Sequence, residues 1–123
     1  MDSRDVSWTL PHSATAPLLA RQLVREHCAG YDADTLDWAL VLTNELVTNA
    51  IEHGAGEPVV RLRVDSHLLR VEVHDESSDD VRPLPQDVAA DRGRGLAIVE
   101  AVASAWGSAP TNHGKTIWFE LRP

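Results

Sequence analysis

A single cysteine, Cys28, among 123 residues excludes an internal disulfide and any cysteine-built zinc cluster, and leaves the thiol a helix-packing role. No apolar run approaches the roughly 20 residues of a membrane span. The first ten residues, MDSRDVSWTL, lack the basic-then-apolar order of a secretory leader, so the expected compartment is the cytoplasm, with no membrane partner. Basic residues are scarce: 11 against 19 acidic ones give a formal charge of -8, a poor match for a phosphate backbone, which argues against direct nucleic-acid binding. Nor do the histidines pair closely, and His12, His27, His67, His74 and His113 read as surface or packing residues rather than metal ligands. What is present, 43% apolar and 24% charged residues, suits one globular domain spanning 1–123.

Hydrophobic periodicity orders that domain. A short alternating run at 6–10, ended by Pro11, predicts an edge strand, and Ser13 is placed to cap a helix over 14–28, where Leu18, Leu19, Leu23 and Val24 follow a helical period. Asp32 or Asp34 can start a second helix that runs to about His53, before Gly54 and Gly56 break it. Residues 59–64 and 68–74 alternate apolar with polar and predict two antiparallel strands turning near Asp65 and Ser66. Residues 76–92 carry acidic residues, proline and serine without periodicity and predict a short lid. Gly93 and Gly95 precede a helix over 96–105, and two closing strands follow, near 106–109 and 116–121. The expected architecture is α/β (α+β): a two-layer sandwich of a mixed, mainly antiparallel sheet covered on one face by three helices.

Within this frame, ELVTNAIEHG places Glu45, Asn49 and His53 at four-residue intervals, one row along a helix whose apolar stripe faces the core. A carboxylate beside an amide can deprotonate a hydroxyl while the amide oxygen holds a hard cation such as Mg²⁺. Taken alone, the same row is a solvated helix face. Asp75, closing an apolar strand, either accepts a hydrogen bond from an exocyclic amine such as that of adenine or serves as a turn residue. Gly93-Arg94-Gly95, followed by Leu96, lets a phosphate approach the backbone at the positive end of a helix. The four tryptophans, Trp8, Trp38, Trp106 and Trp118, mark no site by their spacing and read as core or interface anchors.

In order along the chain, ELVTNAIEHG, DES, GRGLAIVEAVA and GKTIWFEL resemble the motifs of the GHKL (Bergerat-fold) ATPases, and within them the small bacterial anti-sigma-factor serine/threonine kinases. The resemblance implies a Bergerat ATP-binding fold with ATP and Mg²⁺ as ligands. It implies Glu45 as general base, Asn49 as Mg²⁺ ligand, Asp75 as reader of the adenine amino group, and Gly93, Gly95 and Leu96 around the phosphates. Arg94 either reaches a phosphate or stands in solvent, His53 either lines the nucleotide site or caps its helix, and Thr116 either lies near adenine or packs. At Ser77 the chain departs from the pattern, which has glycine there; the added side chain implies altered base-pocket contacts. An anti-sigma-factor antagonist as substrate, a sigma factor as second partner and a homodimer, with Trp8 as a candidate contact, are implied by the same resemblance. The alternative is a non-catalytic, nucleotide-gated binding module that sequesters a regulator.

Overall fold

The computed structural model describes residues 3–77 and 92–123, with the backbone alone at 92–95. Apart from its two ends, the expected lid at 76–92 lies outside the described residues. The elements are β1 (Arg4–Thr9), α1 (Ala16–His27), α2 (Ala33–His53), β2 (Val59–Val64), β3 (Leu69–Asp75), α3 (Arg92–Val102), β4 (Ala105–Thr111) and β5 (Gly114–Leu121). The strands form one sheet in the order β1-β2-β3-β5-β4. Every pairing among them is antiparallel, where a mixed, mainly antiparallel sheet is expected. The last strand enters between β3 and β4, so β5 is an interior strand paired on both sides.

Alternation along the strands sorts side chains onto two faces. Val60, Leu62 and Val64 of β2, Leu69, Val71 and Val73 of β3, and Ile117, Phe119 and Leu121 of β5 are buried together with Ala20 and Val24 of α1, Leu42, Leu46 and Val47 of α2, and Leu96 and Val99 of α3. Three helices on this one face make the second layer. The opposite face is polar: Arg70 lies over the ring of Trp118 at 4.1 Å and pairs with Glu72 at 2.7 Å and Glu120 at 2.8 Å. Trp8 is half-buried against the core, its ring 4.9 Å from that of His27, which makes it a packing residue of β1 before it is any dimer contact.

Local chemistry explains where the helices begin. Asp32 caps α2 by accepting from the Thr35 backbone N–H at 2.8 Å and from its hydroxyl at 3.1 Å. Ser13 does not cap α1. That helix starts at Ala16 after Thr15, with Pro17 in its first turn, where no backbone donor is missed. Between β2 and β3 the Asp65 carboxylate accepts from the N–H groups of His67 and Leu68, the expected turn made by an aspartate side chain. The third helix starts at Arg92 and ends at Val102, three residues short of expectation, so that Gly93 and Gly95 lie in its first turn rather than before it. No helix among the described residues is long and apolar enough to cross a membrane.

Candidate nucleotide site

The second half of α2 is both core and wall. Leu42, Leu46, Val47 and Ala50 are buried against the sheet, while Glu45, Asn49 and His53 follow the flank of the same helix at partial exposure. One atom in that row stands out. Asn49 Oδ1 is buried with no hydrogen-bond partner among the described residues, a state that costs an ordinary amide free energy and that suits one awaiting a ligand. His53 Nε2 lies 3.7 Å from the carboxylate of Glu52, and the helix is closed by the Gly54 N–H donating to Ala50 O at 3.0 Å, so backbone and not imidazole makes the cap.

Asp75 ends β3 on the helix-facing side and is 1% exposed. Its Oδ1 accepts from the backbone N–H of Ser77 at 2.7 Å, while Oδ2, buried, has no hydrogen-bond partner among the described residues. Serine thus forms the turn expected of glycine. The orphan oxygen is the second buried acceptor of the site, contributed by a different element from the first.

Two glycines hold the carboxylate where it is. A Cβ on Gly54 would fall 2.5 Å from Ala50 O, 2.6 Å from Asp75 Cγ and 2.7 Å from its Oδ2, so the end of α2 can approach β3 only without a side chain. A Cβ on Gly114 would fall 1.9 Å from the Asp75 carbonyl oxygen. The Glu76 N–H donates to Ala55 O at 2.8 Å, and His12 Nδ1 donates to Gly56 O at 2.7 Å, tying the loop after α2 to both β3 and the segment before α1.

Of the residues singled out in the sequence, Asn49 and Asp75 contribute buried acceptors, the Ser77 N–H holds Asp75 Oδ1, and Glu45 and His53 share the helix row with Asn49. Gly93, Arg94, Gly95 and Leu96 open α3, whose first four N–H groups have no intrahelical acceptor. Thr116 is placed differently. It pairs with His74, whereas Asp75 pairs with Lys115, and a one-residue step along a strand moves a side chain to the other face. Thr116 therefore stands on the face away from the helices, and the residue beside Asp75 is Lys115, with Nζ 3.6 Å from Oδ2 and 4% exposure. Lys115 has a sequence signal: along Lys115, Ile117, Phe119 and Leu121, a charge occupies the apolar phase of β5.

No cluster of three or more His, Cys, Asp or Glu that could hold a metal occurs among the described residues. Mg²⁺ rarely asks for one, since it binds through one or two protein oxygens with substrate phosphates and water. The buried Asn49 oxygen fits that demand. A shallow hollow lined by Asp34, Asp37, Trp38 and Val41 opens two turns of α2 away and takes no part in this arrangement.

Two buried, unsatisfied acceptors, one on α2 and one at the end of β3, suit a polar ligand, and the family model of the histidine kinase-like ATPase domain matches residues 10–121. The chain belongs to that family. This histidine kinase-like ATPase domain bears out the resemblance to the GHKL ATPases carried by the motifs. Its fold is similar to the crystal structure of the RsbU and RsbW domains of Rv1364c from Mycobacterium tuberculosis, with a TM-score of 0.75 at 24% identity. The match covers 97% of this chain and 32% of that one, so the domain spans about a third of the solved chain. No protein of curated function matches the sequence.

Proposed function

We infer that this domain binds Mg-ATP and transfers its γ-phosphoryl group to a serine of a protein partner, as an anti-sigma-factor-type serine/threonine kinase. The observation that carries the reading is the presence of two buried orphan acceptors, Asn49 Oδ1 on α2 and Asp75 Oδ2 on β3, on elements that pack together. Asp75 Oδ2 is suited to accept from the amino group of adenine, because a buried carboxylate oxygen without a donor is costly. Asn49 Oδ1 would hold Mg²⁺, which supplies neutralisation of phosphate charge when bound. The open N–H groups at the start of α3 suit phosphate oxygens.

In the transfer itself the serine oxygen attacks the γ-phosphorus in line, the bond from that phosphorus to the β–γ bridging oxygen breaks, and ADP leaves with the electron pair. Glu45 takes the serine proton. Because Glu45 makes no contribution to reading the base, Glu45→Ala is expected to keep ATP affinity within about twofold and to lose transfer by roughly 10²–10⁴-fold. Asn49→Ala is expected to weaken both. Calorimetric titration with Mg-ATP and phosphoserine detection on a candidate antagonist measure the two quantities separately, and undiminished phosphorylation by the Glu45 variant sinks the assignment.

The protein substrate proposed is an anti-sigma-factor antagonist, and the second partner a sigma factor held by binding. Family membership and the fold shared with a chain that includes an RsbW domain support this choice. ATP binding with no phosphoserine on any antagonist would leave the nucleotide-gated binding module instead.

A further inference from the structure

Lys115 is an unusual tenant of its position. Its strand neighbours on the same face, Ile117 and Phe119, are core residues, and lysine is among the side chains least often buried. Its ammonium faces Asp75 across the β3–β5 pairing, yet the 3.6 Å separation exceeds the 2.7–2.9 Å of a charge-assisted hydrogen bond. A buried ion pair serving stability alone would close that gap, since its attraction offsets the desolvation of both charges only when the geometry is tight. Here the carboxylate oxygen is buried without a hydrogen-bond donor, and the close approach of Gly54 fixes the carboxylate in place.

We propose that Lys115 is a second reader of the base: its ammonium donates to ring nitrogen N1 of adenine while Asp75 Oδ2 accepts from the adjacent 6-amino group. The inference rests on the ATP-binding reading and adds a residue to it. Adenine presents a donor, the amine, next to an acceptor, N1, along one edge. Asp75 and Lys115 present an acceptor next to a donor, in complementary order. A ligand bridging the two groups satisfies the orphan oxygen and gives the ammonium a directed partner in the same step.

The test is a calorimetric titration of the whole chain with ATP and with 1-deaza-ATP, in which CH replaces N1 and the amine is retained, both with Mg²⁺. The wild-type protein is expected to bind 1-deaza-ATP about 10- to 100-fold more weakly, the range for losing a hydrogen bond to a charged group. Lys115→Met is expected to bind ATP more weakly by a similar factor and to treat the two nucleotides alike. Equal wild-type affinities overturn the role of Lys115 and leave the ATP reading intact, whereas no wild-type binding of ATP overturns both. The wild-type comparison needs no substitution, so it stands even where the Lys115→Met chain does not fold.

Discussion

Gly54 shows how one missing side chain can position another residue. It closes α2, and the space a Cβ would need is already held by Ala50 O and the Asp75 carboxylate at 2.5–2.7 Å. Neither neighbour can give easily: one is helix backbone, the other a fully buried group fixed by the Ser77 N–H. Gly54→Ala is therefore expected to destabilise the fold by about 1–3 kcal/mol, the usual range for overpacking, and also to weaken ATP binding by displacing Asp75. Urea unfolding would show a lower midpoint at unchanged slope. A variant as stable and as tight for ATP as the parent would show that α2 and β3 do not constrain each other here. From the sequence Gly54 is legible only as a helix stop. Its second role depends on Asp75, 21 positions along the chain, and no local pattern reports such a contact.

Elements carry the separation of core from charge. On β3 and β5, odd positions build the helix-facing core and the site, while Arg70, Glu72, Trp118 and Glu120 interact on the other face. Arg70→Ala removes two partly exposed ion pairs and a cation–π contact, together worth about 1–2 kcal/mol. ATP affinity should not change, because the sheet lies between Arg70 and the site. Loss of stability with intact titration is the expected result, and loss of ATP binding would show that the two faces are coupled. The alternation behind this prediction is visible in the sequence, as are the two long helices, the Asp65 turn and the row Glu45, Asn49, His53. The insertion of β5 between β3 and β4 is not, since strand order follows from long-range packing that local periodicity does not encode. Thr116 shows how much a one-residue step matters in a period-two element: the glycine-lysine-threonine motif is plain, but only the register with Asp75 shows that Lys115, and not Thr116, turns toward the helices.

For the molecule as a whole, ionisable groups set the pH range in which the two layers stay together. On the acid side, Asp32 and Asp65 lie below the ordinary aspartate value of 3.8, Asp32 because the Thr35 hydroxyl and N–H donate to it, Asp65 because the His67 and Leu68 N–H groups do. Folded carboxylates that ionise more readily than unfolded ones add stability above 3.8 and lose it as pH falls through their depressed values. On the alkaline side, burial raises the Cys28 thiol from 9.0 to about 11 and the Tyr31 hydroxyl from 10.0 to about 12. These groups prefer to stay protonated in the folded chain, so their stabilisation is complete below pH 9 and is lost as pH climbs through 11 and 12. Unfolding free energy measured in urea should therefore be flat from about pH 5 to 9, apart from any histidine contribution, and fall steeply above. Cys28→Ala lowers the plateau by removing a buried side chain, but the informative quantity is the slope: between pH 9 and 11 it should be shallower than in the parent, with the Tyr31 fall retained. An unchanged slope in that window would mean that the thiol ionises alike in both states, and so that the packing of Cys28 between α1 and the sheet is looser than its complete burial indicates.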